Sequence, residues 1–319
     1  MKSIKQGVAL AMMLSATMIS SAHALTVYTA GPGSLAKSLA SGYEKKTGVK
    51  VNIFQATTGK VMARLEAEQA NPQADVLISA SWDTAEDLHH RGWLLPYQSG
   101  NADKVPAALK SADYVAQGIS ALGIVWNSKS GTPEPKEWHD LTEAAFKDKV
   151  TTPDPALSGA SLDLLIGLQN GLGDKAWTLF EALKKNGMVV SGPNAQAVTP
   201  VMQGAKAAVF GAVDYVSYGN IAQGESLKVI FPASGTVIAP RPMMILKTTQ
   251  HADDAKAFVD YVLSPEGQAM VADAWLMPAR SDVQAKRPLL DELKILPTTS
   301  DGSSERSAVL SRFNGLFGQ

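Results

Sequence analysis

From residue 25 onward, short apolar runs alternate with longer amphipathic stretches, and this alternation restricts the fold more than any other feature of the chain. Leu25-Thr26-Val27-Tyr28-Thr29 reads as a strand and Ser34 to Lys46 as a helix. Val49 to Phe54 reads as the next strand, the stretch from Lys60 to about Ala70 as a helix, and Ala74-Asp75-Val76-Leu77-Ile78-Ser79 as a third strand. Repeated strand–helix units predict an α/β protein with a parallel, doubly wound sheet. Thr84 to His90 reads as a further helix, stopped at Gly92, a residue suited to the left-handed position after a helix end.

The middle of the chain departs from this rhythm. Ile119 to Asn127 reads as an apolar extended crossing, and the turn Gly131-Thr132-Pro133-Glu134-Pro135 opens a second α/β series. That series contains Lys149-Val150-Thr151-Thr152, helices over Ser161 to Leu172 and Asp174 to Asn186, and the apolar run Ala207 to Gly211. Met243-Met244-Ile245-Leu246 reads as a second crossing, followed by helices over Asp253 to Leu263 and Pro265 to Ala274. Two crossings predict two lobes joined at a hinge, with residues 25–121 and 243–319 in lobe 1 and residues 122–242 in lobe 2.

Lys2 and Lys5 precede an uncharged apolar stretch from Val8 to Ile19, and Ala22-His23-Ala24 fits a signal-peptidase site. Residues 1–24 are therefore expected to be an export signal removed from a periplasmic protein; the apolar run is too short for a membrane span. Loss of Lys2 and Lys5 takes the formal charge from −1 to −3, so no basic field exists to gather nucleic acid. The absence of cysteine excludes thiolate metal sites, thiol nucleophiles and disulfides.

In open α/β sheets ligands sit beyond the carboxyl ends of strands, where turns and helix starts offer unpaired backbone N–H groups. Three such turns in lobe 1 are small, hydroxylated or glycine-bearing: the first carries Gly33 and Ser34, the second Thr57, Thr58 and Gly59, the third Ser79, Ser81 and Trp82. Glycine lets backbone amides come close to an anion, and hydroxyls add donors. Ordinary helix capping by Ser34, Thr58 and Ser81 is the competing reading of each turn. Trp82 could stack on a ligand or pack in the core. In lobe 2, Ser158 and Gly159 precede a helix. Asp214 and Tyr215 follow an apolar strand, where Asp214 either accepts ligand hydrogen bonds or caps the next helix.

Catalytic signatures are missing. The mature histidines lack metal-ligand spacing, and there is no G-x-S-x-G, G-x-G-x-x-G or Walker A pattern. The expectation is a binding protein rather than an enzyme, with no cofactor and no metal.

Several segments together carry a family resemblance: Phe54-Gln55-Ala56-Thr57-Thr58-Gly59-Lys60, Asn71-Pro72-Gln73-Ala74-Asp75-Val76, Pro153-Asp154-Pro155, Gly204-Ala205-Lys206-Ala207, Ala257 to Gln268, and Met277-Pro278-Ala279-Arg280-Ser281-Asp282-Val283. With them the mature chain resembles the extracellular solute-binding proteins of ABC importers, in the branch that binds ferric iron, hexose phosphates, phosphonates or polyamines. The resemblance implies the type II periplasmic-binding-protein fold, a ligand cleft between two α/β lobes that closes by hinge motion, and delivery of the solute to an ABC permease in the inner membrane. Thr57-Thr58-Gly59-Lys60 and Pro153 to Gly159 are most similar to the hexose-phosphate binders, so the expected ligand is a small anionic solute such as a sugar phosphate. Ferric iron is the rival ligand, weakened because adjacent tyrosines are replaced by Tyr215 and Tyr218. A secreted enzyme acting on phosphorylated small molecules is the rival from another class.

Overall fold

The structure, a computed structural model, describes residues 24–288, 290–298 and 303–318. The expected export signal lies outside the described residues except for Ala24. Among those residues no helix is long and apolar enough to cross a membrane.

The first lobe starts as the apolar alternation demands. Strand β1 (Ala24–Thr29) leads to helix α1 (Gly33–Thr47), then β2 (Lys50–Gln55), α2 (Thr58–Ala67), β3 (Val76–Ile78) and α3 (Trp82–His90). Helix α1 buries Leu35, Leu39 and Tyr43, spaced to share one face. It ends at Gly48, whose φ of 78° is the left-handed conformation that glycine adopts without steric cost; the Gly48 N–H donates to the Glu44 carbonyl. Successive strand residues face opposite sides of the sheet. Val27 therefore packs with Leu39, Phe258 and Val262 on one face, and Tyr28 with Val61, Leu77 and Leu88 on the other.

Strand β4 (Tyr114–Asn127) is buried along its whole length. The second lobe follows as β5 (Val150–Thr152), α4 (Gly159–Leu172), α5 (Asp174–Lys185), β6 (Val189–Val190), α6 (Asn194–Met202), β7 (Ala208–Val213), α7 (Asp214–Ala222) and β8 (Leu227–Ile230). Strand β9 (Ile238–Ile245) returns to the first lobe, which is completed by α8 (Ala252–Val262), α9 (Pro265–Asp273) and β10 (Met277–Pro278). The last helix, α10 (Ser303–Phe317), does not pack there. It adds Val309, Phe313 and Phe317 to the core of the second lobe, beside Leu165 and Phe180 of α4 and α5.

The strand order is β2-β1-β3-β9-β4-β7-β5-β6. β2, β1 and β3 are mutually parallel, as are β6, β5 and β7, but β9 and β4 run antiparallel to their neighbours. The expected parallel sheet is therefore a mixed one. The parallel parts come from strand–helix–strand units, and the two crossing strands run against them. β9 begins at Ile238, before the apolar run at Met243, and passes through Pro240 and Pro242. Proline has no N–H to give to a ladder, and the β4–β9 register slips between Ala116 and Ile119, opposite these prolines. The outcome is a two-lobed α/β fold crossed by two long strands.

Candidate functional site

Five helices begin around one cavity of about 380 Å³ between the lobes. Gly31 lines it just before α1, Thr57 and Thr58 at the start of α2, Ser158 and Gly159 at α4, Pro193 and Asn194 at α6, and Tyr215 and Val216 at α7. Each start leaves backbone N–H groups without a helical partner, and the aligned peptide dipoles place partial positive charge there. Lys60 is the one formally charged side chain in the lining, which contains no carboxylate.

Local hydrogen bonds fix the ring. The Thr29 hydroxyl accepts from the Gly31 N–H at 3.0 Å, and Gln55 Nε2 donates to the Gly31 carbonyl at 3.3 Å. The Ser158 hydroxyl accepts from the Ser161 N–H at 3.2 Å and donates to Asn194 Oδ1 at 2.9 Å, tying the starts of α4 and α6 together. Gly159 is required by the lobes' approach: a Cβ there would lie 2.9 Å from that of Ser81 in the opposite lobe.

Beneath the ring lies Arg241, 1% exposed. Its Nη2 donates to the Ala30 carbonyl at 2.6 Å, its guanidinium carbon lies 5.6 Å from the centre of the Tyr215 ring, and its Nε has no partner. It makes no ion pair among the described residues. Desolvation by burial lowers its pKa, while Tyr215 and Asp214 oppose that shift. A buried cation thus stands behind the lining, and five helix starts direct partial positive charge toward the cavity.

The sequence-expected residues separate into groups. Thr57, Thr58, Ser158, Gly159 and Tyr215 line this cavity. Gly59 and Ser81 line an adjoining cavity of about 600 Å³, and Ser34 a groove it shares with Tyr215 and Trp275. Gly33 opens α1, where a Cβ would meet Gln55 Oε1 at 3.5 Å. Ser79 is buried, bonding to the Thr84 hydroxyl and accepting from the Ser81 N–H. Trp82 packs edge-on against Tyr114, 5.0 Å between ring centres, so its contacts are those of the core reading. Asp214 lies below the cavity as the first residue of α7, and its carboxylate holds a first-turn N–H of that helix. Its carboxylate pairs with Arg287 and accepts from the Ala121 and Tyr215 N–H groups; burial raises its pKa and Arg287 counters that.

Sequence reasoning missed Asn194, Pro193 and Arg241. Pro200 inside α6 disguised that helix. Arg241 did carry a signal, a cation set between two prolines in an apolar run, which is unusual for a buried strand.

For a metal the donors are poor. Tyr215 is the only phenol of the lining. Tyr218 stacks on Trp275, and desolvation pushes its pKa up to about 12, away from the phenolate a ferric ion needs. Among the described residues, the group of His, Asp and Glu that could hold a metal is His139, Asp140 and Glu143, none of which lines the cavity.

A sequence model of the bacterial extracellular solute-binding protein family matches residues 71–305. A Salmonella typhimurium periplasmic protein, provisionally named as 2-aminoethylphosphonate-binding, is 27% identical over 260 residues, covering 76% of this chain and 73% of its own. The major ferric iron-binding protein of Neisseria meningitidis is 24% identical over 275 residues, covering 80% of this chain and 81% of its own. Among solved structures, the periplasmic binding protein AfuA from Actinobacillus pleuropneumoniae, with fructose-6-phosphate bound, matches with a TM-score of 0.84 at 24% identity, over 92% of this chain and 98% of that one. That likeness establishes the shared fold.

Proposed function

The chain belongs to the bacterial extracellular solute-binding proteins, and on that premise we propose that it captures a small organic phosphate or phosphonate and delivers it to an ABC permease. The convergence of five helix starts on a cavity with Lys60 and no carboxylate carries the reading. Such a site suits a compact anion, because N–H donors and hydroxyls replace its hydration while the dipoles and Arg241 offset its charge. The lobes close around the ligand by flexing at β4 and β9. The ring comes from both lobes, α1 and α2 from the first and α4, α6 and α7 from the second, so closure completes it. Residues 1–24 direct export to the periplasm and are removed, and the protein performs no catalysis.

Ferric iron is the second reading, supported by Tyr215 in the lining and by the Neisseria relative. It requires several anionic oxygens, and the lining offers one phenol. A thermal-shift screen of desalted protein tests the choice, since a ligand that binds only the folded state raises the melting temperature. Sugar phosphates, phosphoglycerates, 2-aminoethylphosphonate and ferric citrate are the compounds to compare. The expected result is a rise with a phosphate or phosphonate and none with ferric citrate; the reverse pattern defeats the proposal.

A further inference from the structure

The cavity next to the anion pocket is bordered by charges that holding an anion does not require. Ser81 and Asp83 stand at the start of α3, in the first lobe. Asp163, on α4 in the second, is buried, and its Oδ1 accepts from the Ser81 hydroxyl at 3.1 Å across the junction of the lobes. Arg306 occupies the space between them. Its Nη1 donates to Asp163 Oδ1 at 2.8 Å and pairs with Asp83, and its Nη2 donates to the Ser81 hydroxyl at 3.3 Å.

Arg306 belongs to the second lobe by its packing. Val309 and Phe313, on the same helix, are buried in that lobe's core, so α10 moves with α4 and α5. Its bond to Asp163 therefore lies within one moving body and survives opening. Its bonds to Asp83 and Ser81 cross to the other body and break when the lobes part. We infer that Arg306 is a positioning residue for capture, a clasp that fastens the closed lobes and prolongs ligand residence without touching the ligand. This rests on the capture reading given above.

The physical case is that these pairs differ from ordinary surface ion pairs, which contribute little because both partners stay hydrated. Here the Arg306 and Asp83 side chains are 16% and 21% exposed, and the guanidinium makes several charge-assisted bonds at once. Opening exchanges them for water, so the clasp acts on the rate of opening and hence on ligand dissociation more than on association. Gly159 lets Ser81 approach closely enough for the set to form.

Asp83→Asn is the informative variant, because it removes the charge of the ion pair that crosses between the lobes and leaves the Arg306–Asp163 pair in place. Arg306→Met combined with Asp163→Asn is the second variant, which leaves no uncompensated buried charge. The chain has no cysteine, so Lys45→Cys on α1 and Lys185→Cys on α5 accept spin labels specifically, and the distance between lobes can be read by pulsed electron resonance. In ligand-free protein, both variants are expected to shift the distance distribution toward longer values. For any phosphate or phosphonate that binds, stopped-flow dissociation is expected to quicken by about tenfold, with association nearly unchanged. Distances and dissociation rates equal to wild type in both variants overturn the clasp, even if melting temperature falls. Should no phosphate or phosphonate bind, the capture reading fails, while the distance measurement still decides the clasp.

Discussion

Asp214 and Arg287 form an ion pair in which neither side chain touches solvent, with nitrogen and oxygen 2.5 Å apart. The pair joins the start of α7 to the segment that follows β10, so it fixes the second lobe's Tyr215 against the first. Removing one partner leaves a buried charge alone, which costs about 3–5 kcal/mol, whereas replacing both is much less harmful. Chemical denaturation should therefore find Arg287→Met strongly destabilised and Arg287→Met with Asp214→Asn, which keeps an oxygen for the buried N–H groups that Asp214 serves, partly restored. Equal losses in the single and double variants would show that the pair's charges are not what holds this junction.

Gly159 should separate binding from folding. A valine at this position would have to displace the Ser81 side chain, which belongs to the other lobe, and α4 tolerates a side chain at its first residue. Gly159→Val is expected to weaken ligand binding by at least about tenfold, or 1.4 kcal/mol, while the melting temperature of ligand-free protein stays near that of wild type. Unchanged calorimetric affinity would remove lobe closure at this point from the account.

Arg241 should set the charge preference of the cavity. Arg241→Gln is expected to weaken an anionic ligand by about 2 kcal/mol, the Coulomb attraction of unit charges roughly 8 Å apart at an effective dielectric of about 20, and Arg241→Lys by less. If titration calorimetry finds the glutamine variant as tight as wild type, the buried cation has no part in selecting anions.

Stability should depend on pH through Asp163. Burial, the largest cause, pushes its carboxyl up to about 6; Arg306 acts against this and Asp83 adds to it. Glu86, nearby on α3, is also raised, by burial and by Asp83. An acid raised above its unfolded value favours the folded state most below the unfolded pKa of about 3.9. That contribution fades as pH climbs through about 6. The melting temperature of wild type relative to Asp163→Asn should thus be most favourable near pH 4 and decline toward pH 7, a comparison in which Glu86 cancels. Parallel curves for the two proteins across that range would contradict it.

Much of the fold was legible because local patterning and burial agree in it. The helix over residues 33–47, the strand at 24–29 and the helix starting at Pro265 all carry their periodicity and end signals in sequence. Legibility failed where tertiary pairing overrode local signals. β9 passes through two prolines, α6 contains Pro200, and α10 docks on the second lobe through contacts distant in sequence. The site was legible to the extent that it is made of turns: Thr57, Thr58, Ser158, Gly159 and Tyr215 do meet around one cavity. The core packing of Trp82 was among the readings the sequence offered, whereas the buried ion pair of Asp214 was not, because no local pattern points to its partner Arg287.

The central claim is that the cavity selects an anionic group, and paired titration calorimetry tests it most directly. Fructose 6-phosphate and 2-aminoethylphosphonate would be titrated beside their uncharged or cationic counterparts, fructose and ethanolamine, with ferric citrate as a further titrant. The account predicts saturable heat from at least one phosphorus-bearing compound and none from its counterpart or from ferric citrate. Binding of ferric citrate with a visible phenolate-to-iron band, and no heat from either phosphorus compound, would contradict it.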